Sequence, residues 1–336
     1  MRPVNIAVIG TGRMGSVHTR NLARLIPEAN LVAVCDIRLD VAQAIADELG
    51  IQRVVRDYHD LLDDKSIEAI LIATNTDTHS FIVQDVAAAG KHIFCEKPIA
   101  LDLADVDSAL AAVKKYGVKF QVGFNRRFDK SFRRVHDIVA SGEIGRPCIL
   151  RIASRDPEPP SVEYARTSGG MFLDMTIHDF DMARYQVGEI EEVYAIGNVL
   201  VAPDYTSIGD LDTNIVTLKF ANGAIGVIDN SRQAVYGYDQ RLEVFCSNGV
   251  AMADNEVENV AIKGSKDGYH SARLPYFFMN RYAPCYVEEV REFCKCVRDD
   301  KPVPVGGADG RAAVVLGYAA WKSYRENRPV KLSEIG

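Results

Sequence analysis

The strongest constraint on this chain is its opening stretch. A short apolar run, Val4 to Ile9, breaks into Gly10-Thr11-Gly12-Arg13-Met14-Gly15 and resumes as a pattern carried by Met14, Val17, Leu22 and Leu25. The run reads as a strand buried on both faces, and the spacing after it as an amphipathic helix. Each glycine then has its own physical reason. Gly10 permits a tight turn, Gly12 lets backbone approach a pyrophosphate, and Gly15 lets the helix lie against the strand. The helix N-terminus offers unpaired N–H groups and a partial positive charge to phosphate oxygens.

Glycine triplets also mark ordinary strand-to-helix turns, so the neighbourhood decides between a nucleotide site and a plain βαβ unit. A second apolar run, Leu31 to Cys35, ends in Asp36, about as far beyond the glycines as a ribose-binding acid should stand. A carboxylate there accepts from a ribose 2′-OH and repels a 2′-phosphate, so NAD is the expected cofactor. Arg38 is the one neighbour that would tolerate some NADP.

At 336 residues the chain is long for a single core, and two domains are expected. With a net charge of −7 and basic residues scattered among acids, no nucleic-acid partner is expected, the Arg126-Arg127 pair being the clearest basic cluster. No apolar run approaches the ~20 residues of a membrane span, and the N-terminus enters a strand without a signal-peptide pattern. The expectation is a cytoplasmic protein with no membrane partner. Seven cysteines, an odd count with several in apolar runs, suit reduced thiols. Cys294 and Cys296 are two apart and would diverge on a helix, which argues against a metal pair.

After Asp36 the rhythm of strand and helix continues. Helices are expected near Val41 to Leu49 and His59 to Leu62, with a short strand at Arg53 to Val55. The run Ala69 to Ala73 opens into Thr74-Asn75-Thr76-Asp77-Thr78-His79 ahead of a helix to Ala89. Lys91 to Cys95 runs into Glu96-Lys97-Pro98, a helix follows from Leu103 to Tyr116, and the strand Lys119 to Gly123 ends at Phe124-Asn125-Arg126-Arg127. Such alternation implies a doubly wound parallel sheet, with ligands at the strand C-terminal ends. Thr74, Asn75 and His79 therefore approach the cofactor or, on the plainer reading, cap the next helix.

Beyond a helix at Lys130 to Ser141 the chain turns strand-rich. Strands are expected at Cys148 to Ala153, Val193 to Val201, Thr213 to Phe220, Ala224 to Asn230 and Arg241 to Cys246, with Asn222-Gly223 and Asn248-Gly249 as tight turns. One helical segment, Gly170 to Gln186, interrupts them, and two more close the chain at Ala283 to Val297 and Asp309 to Arg325. The fold class is α/β: an N-terminal Rossmann dinucleotide-binding domain over 1–124, then an α+β domain over 125–336 with a large, mostly antiparallel open sheet. The second domain is read as the substrate-binding and oligomerisation domain, with room for its C-terminal helix to pack back on the first. Strands such as Thr213 to Asn230 would expose a broad face that needs covering.

Two places can carry chemistry. Lys97 follows a buried strand at the ligand-binding end of the sheet, beside a proline whose peptide bond can be cis; alone it would read as a surface lysine paired with Glu96. Asp174 and His178 are four apart, so on one helix they share a face. A carboxylate beside an imidazole orients it and raises its basicity, which suits a general base for an alcohol proton. His178, Asp179 and Asp181 lack a second histidine or cysteine at useful spacing, and no metal is expected.

Taken in order, Gly10-x-Gly12-x-x-Gly15, Ala73-Thr74-Asn75 with His79, Glu96-Lys97-Pro98 and Asp174-x-x-x-His178 resemble the glucose–fructose oxidoreductase/inositol dehydrogenase/rhizopine-catabolism family over nearly the whole chain. Within it, the run Gly169 to Arg184 is most similar to that of inositol-oxidising members. The resemblance implies NAD-dependent oxidation of a cyclic polyol, most simply myo-inositol to its 2-keto product. Lys97 would hydrogen-bond the reacting hydroxyl, His178 would take its proton, and Asp174 would bind substrate and orient the histidine. It implies cofactor contacts from Gly10, Thr11, Gly12, Arg13, Met14, Gly15, Asp36, Ile37, Arg38, Thr74, Asn75, His79, Glu96 and Lys97. It also implies polyol contacts from Lys97, Asn125, Arg126, Asp156, Asp174, His178 and Tyr236, and a homotetramer. Thr176 is a further candidate donor to the polyol. Scyllo-inositol, glucose or another sugar is the alternative substrate. An NAD-binding sugar or redox sensor is the non-enzyme alternative, although such relatives tend to lose the lysine or histidine that this chain keeps.

Overall fold

The computed structural model describes residues 2–336, which form two compact units, one of 2–128 with 284–314 and one of 129–283 with 315–336. The first unit thus closes at Phe128, a few residues past the expected 1–124, and takes in a later segment as well.

In the first unit six strands, β1 (Val4–Ile9), β2 (Ala29–Cys35), β3 (Val54–Val55), β4 (Ala69–Ile72), β5 (His92–Cys95) and β6 (Phe120–Val122), form one sheet in the order β3-β2-β1-β4-β5-β6. All five pairings are parallel. β4 is buried at every residue, as a central strand covered on both faces must be. The intervening helices are α1 (Arg13–Arg24), α2 (Leu39–Leu49), α3 (His59–Leu62), α4 (Thr76–Ala88) and α5 (Leu103–Tyr116). The strand order reverses between β1 and β4, so their C-terminal ends flank the crevice where such sheets take ligands. Val290, Phe293 and Cys294, from the later segment, join Val4, Ile6, Val8 and Leu71 in one core cluster.

The second unit is built on seven strands: β7 (Pro147–Arg155), β8 (Ile190–Asn198), β9 (Thr213–Phe220), β10 (Ile225–Ser231), β11 (Asp239–Cys246), β12 (Gly249–Ala253) and a short strand near the C-terminus. Before the sheet comes α6 (Lys130–Ser141), and between β7 and β8 lie α7 (Val162–Thr167), α8 (Gly170–Asp174) and α9 (Ile177–Val187). After β12 follow an exposed hairpin of β13 (Ile262–Ser265) and β14 (Gly268–Ser271), then α10 (Phe278–Arg281), α11 (Ala283–Arg298), α12 (Gly307–Glu326) and β15 (Val330–Lys331), the seventh strand of the sheet. The order is β12-β11-β7-β10-β9-β8-β15. Only β7 and β10 pair in parallel; the other pairings are antiparallel, which bears out the mostly antiparallel sheet.

α6 packs against β11 and β12, and α9 against β7. The strands show the alternation of a half-covered sheet, buried and exposed in turn along β9. Three features depart from expectation. The helix foreseen over Gly170 to Gln186 is two helices, interrupted at Met175-Thr176. The β12 strand beyond Asn248-Gly249 and the β13–β14 hairpin were not foreseen. The strand expected at Val193 to Val201 lies earlier, at Ile190–Asn198. Among the described residues no helix is long and apolar enough to cross a membrane, and all seven cysteines are free, six of them buried.

Candidate active site

The glycine loop between β1 and α1 is shaped by contacts that admit nothing larger than hydrogen. Gly10 has φ +91°, and a Cβ there would lie 2.6 Å from the Ala73 carbonyl oxygen; on Gly15 it would lie 1.9 Å from the Gly10 carbonyl oxygen. These two glycines close the loop against β4 and seat α1 on it. A Cβ on Gly12 would meet nothing within 4 Å, so this backbone faces open space. Gly12 caps α1 without any side-chain hydrogen bond, and no acidic residue stands in the first turn. That helix N-terminus keeps its donors for an anion, as a dinucleotide pyrophosphate requires.

Asp36, at the tip of β2, accepts from the Thr11 N–H at 2.8 Å and the Thr11 hydroxyl at 3.0 Å through Oδ2, and from the Arg38 N–H through Oδ1. It therefore ties the glycine loop to the next strand end while staying half exposed. Ile37 and Arg38 beside it are exposed, as are Arg13 and Asn75; Met14 and Thr74 are half-buried. Asn75 occupies the N-cap of α4 but makes no side-chain cap bond, so its amide is not committed to capping. His79 is buried, its Nδ1 2.8 Å from the Pro98 carbonyl oxygen and its Nε2 3.2 Å from that of Thr74. Burial pulls its pKa below the usual imidazole value, and the neutral ring, with a single N–H, donates to one of these two carbonyls at a time.

At the end of β5, Lys97 is half-buried and the Lys97-Pro98 peptide is cis. The Glu96 carboxylate points inward to His18 Nε2 at 2.6 Å, and accepts from the Lys97 N–H at 3.2 Å. Asn125 and Arg126 lie in a short 3-10 turn after β6, both buried.

In the second unit, Asp174 closes α8 and His178 lies in the first turn of α9. The interruption between them has a visible cause. The Thr176 N–H bonds back to the Met171 carbonyl at 2.9 Å, and the Thr176 hydroxyl donates to Asn230 Oδ1 at 2.7 Å. Thr176 is fully buried and its one hydroxyl proton is given to Asn230, which corrects its reading as a polyol donor. The shared helical face predicted for Asp174 and His178 is likewise replaced by the end of one helix and the start of the next.

Asp174 accepts from the Tyr164 hydroxyl at 2.9 Å and, through Oδ2, from Arg232 Nη2 at 3.3 Å and Nη1 at 3.4 Å. Arg232 is 1% exposed and was not singled out from sequence. Burial alone would lower its pKa, yet the field of Asp174, Asp156, Tyr205 and Asp210 holds it up. A buried guanidinium amid three acids is a fixed positive charge that keeps Asp174 oriented. Nothing in the sequence marks it, because an arginine following a strand reads as a solvated charge. Asp156 is half-buried, in the field of Arg232. Tyr236 is more than half exposed; its hydroxyl donates to Asp239 Oδ2 at 2.7 Å and accepts from Arg155 Nη1 at 3.1 Å.

A nucleotide-binding loop on a doubly wound sheet, followed in the chain by a lysine at a strand end and by an aspartate and a histidine at adjoining helix ends, is the arrangement of a nicotinamide-dependent oxidoreductase. The comparisons give the family. The sequence signature of an oxidoreductase family with an NAD-binding Rossmann fold, GFO/IDH/MocA, matches residues 4–124, and that of the GFO/IDH/MocA C-terminal domain matches residues 132–252. The chain belongs to this family. It is 49% identical to a Myo-inositol 2-dehydrogenase of Thermotoga maritima over 333 residues, 99% of each chain. It is 37% identical to a scyllo-inositol 2-dehydrogenase (NAD(+)) of Bacillus subtilis, covering 98% of this chain and 96% of that one. A crystal structure of a myo-inositol dehydrogenase from Lactobacillus casei in complex with NAD(H) and myo-inositol superposes with a TM-score of 0.89 at 27% identity, over 98% of this chain and 97% of that one.

Proposed function

We propose that this chain is an NAD-dependent inositol 2-dehydrogenase that oxidises myo-inositol to the 2-keto product. The observation that carries this is the 49% identity, end to end, with the Thermotoga enzyme, in a chain that keeps Lys97, Asp174 and His178 in family order. NAD, when bound, supplies the hydride acceptor. Gly10 to Gly15 and the α1 N-terminus hold its pyrophosphate, and Asp36 takes the ribose hydroxyls. Thr74, Asn75, His79, Glu96 and Lys97 complete the cofactor contacts.

The protein's own groups then move one proton. Lys97 donates a hydrogen bond to the reacting hydroxyl, and His178 takes the hydroxyl proton as the carbonyl forms. Asp174, held by Arg232 and Tyr164, binds substrate and orients the imidazole. Asn125, Arg126, Asp156 and Tyr236 supply further polyol contacts, matching many hydroxyls with many donors and acceptors. Seven free cysteines, six buried, support a cytoplasmic enzyme. The exposed Ile225 and Phe245 on β10 and β11 of the large sheet support a homotetramer.

The test is an initial-rate panel of inositol isomers and aldoses with NAD and NADP. Myo-inositol with NAD should give the highest kcat/KM. A higher value for scyllo-inositol would favour the second reading, which the 37% identity to the Bacillus enzyme keeps in view. NAD binding without reduction on any substrate would point to a sensor. Lys97→Ala should lower kcat by a factor of about 100 or more while leaving NAD affinity nearly unchanged.

A further inference from the structure

Beneath the Glu96-Lys97-Pro98 corner, the first unit buries a cluster of ionisable side chains, two of which, His18 and Glu289, no role above accounts for. His18 on α1 and Glu289 on α11 are both 0% exposed, and Glu96 between them is 9% exposed. One nitrogen or oxygen from each of the three lies within 4.8 Å of the others. Around them stand Phe94 and Tyr286, whose rings meet His18 edge-on. Gln121 on β6 donates to the Glu289 backbone carbonyl at 2.8 Å, not to its carboxyl.

Both Glu289 carboxyl oxygens are buried without a hydrogen-bond partner, as is His18 Nδ1. An ionised carboxylate enclosed in this way would carry an uncompensated charge, far costlier than a neutral acid. The one charge acting on Glu289 is that of Glu96, which adds to burial in pushing its pKa well above the carboxylate range. Glu96 has the opposite surroundings. It accepts from His18 at Oε1 and from the Lys97 N–H at Oε2. A Cβ on Gly123 would come within 3.0 Å of Oε2, so the glycine leaves the carboxylate its place. A metal is the competing explanation, but His18 Nε2 and Glu96 Oε1 are 2.6 Å apart. That is a hydrogen bond; two ligands at right angles on an ion with ~2.1 Å bonds would stand about 3 Å apart.

We propose that Glu289, as a neutral carboxylic acid, joins His18 in holding the Glu96 carboxylate, and that this buried cluster fixes the backbone of Lys97, making Glu289 a positioning residue for the reaction. The proposal rests on Lys97 acting at the substrate hydroxyl, and the experiment separates the two. Turnover of myo-inositol with NAD, NAD affinity and bound metal are measured for the wild type, Glu289→Gln, Glu289→Leu, Gly123→Ala and Lys97→Ala. An infrared difference spectrum is recorded between wild type and Glu289→Gln at neutral pH.

Gln has the shape and neutrality of the protonated acid, so Glu289→Gln should keep kcat within about threefold, while Glu289→Leu should lose about tenfold to a hundredfold in kcat with NAD affinity within about twofold. The difference spectrum should carry a protonated-carboxyl carbonyl band. If Glu289→Leu fails to fold, Gly123→Ala serves instead, since it crowds the Glu96 carboxylate from the other side and should also lower kcat more than NAD affinity. Wild-type kcat in both Glu289→Leu and Gly123→Ala with Lys97→Ala inactive, absence of the infrared band, or one bound metal per chain would overturn the proposal. An active Lys97→Ala enzyme would instead overturn the role of Lys97 and the positioning half with it, and the infrared band would still decide whether Glu289 is protonated.

Discussion

Arg232 shows how a single buried charge organises a site. Its guanidinium bonds to Asp174 and lies 5.8 Å from the Tyr205 ring centroid. Removing it would leave Asp174 beside Asp156 and Asp210 without the cation that offsets them. Arg232→Met should therefore destabilise the fold by about 3 kcal/mol, the usual cost of stranding one partner of a buried pair. A lowered unfolding midpoint in denaturant, with a raised KM for the polyol, would be the signature. Asp36 makes a complementary case at the cofactor end. Asp36→Asn keeps a side-chain acceptor for the Thr11 N–H while removing the charge that repels a 2′-phosphate. The NAD-to-NADP ratio of kcat/KM should fall by about tenfold, and an unchanged ratio would show that Asp36 does not select the cofactor. Both residues were equally available in the sequence, yet only Asp36 was legible. It ends a strand at a fixed distance past the glycines, whereas Arg232 gains its meaning from Asp174, 58 residues away.

Among elements, the segment joining α8 to α9 is where local pattern and tertiary structure part company. Periodicity favours one helix, but a buried polar network overrides it. Asn230 Nδ2 donates to Asp179 Oδ2 at 2.9 Å, Thr176 donates to Asn230, and Asn214 on β9 reaches the Thr176 hydroxyl at 3.3 Å. These bonds tie the start of α9, and so His178, to β9 and β10. Thr176→Val keeps the shape and removes the hydroxyl, leaving Asn230 Oδ1 only the longer bond from Asn214 Nδ2 at 3.4 Å. A loss of about 1–3 kcal/mol is expected, read as a lower melting temperature, together with reduced kcat. The parallel strands of the first unit were readable because full burial gives uninterrupted apolar runs. β12 and the β13–β14 hairpin were not: β12 is a short edge strand, and the hairpin is exposed throughout, so neither bears a strong period-two signal.

The loop after β8 has its own electrostatic anchor. Asp212 accepts from the N–H groups of Leu200, Val201 and Ala202 at 2.7–3.0 Å. Burial would raise its pKa, but the N–H groups of Leu200, Ala202 and Val201 outweigh burial and hold it below the ordinary aspartate value. With the folded pKa below the unfolded one, the stabilisation is present above about pH 4 and is lost as pH falls through the folded value. Melting temperatures recorded from neutral pH downward should drop in this acid window. Asp212→Asn should be less stable at neutral pH and less sensitive to acid there; a parallel acid slope in the variant would count against this anchor.

For the whole molecule, the decisive feature is the open face of the large sheet. The strand register sets Ile225 beside Ile149, Ile149 beside Phe245, and Phe245 beside Val250, so four apolar side chains run in a row across four strands. Ile215 and Ile196 pair on the neighbouring strands. Ile225 is 56% and Phe245 47% exposed. The row ends at Lys219, which faces Ile225 on β9, and the Ile196–Ile215 pair forms a second apolar spot beyond Asp229. An exposed apolar row of this kind marks an interface, and a homotetramer assembled through this sheet would cover it. Light scattering should give the mass of four chains, and a monomer would refute the assembly outright. The double variant Ile225→Lys, Phe245→Lys places two like charges in this apolar row while leaving the buried face of both strands untouched. It should remain folded by circular dichroism and dissociate into smaller species, because a self-complementary face sets each lysine pair against its copy. A tetramer that survived this change would have to be held by another surface.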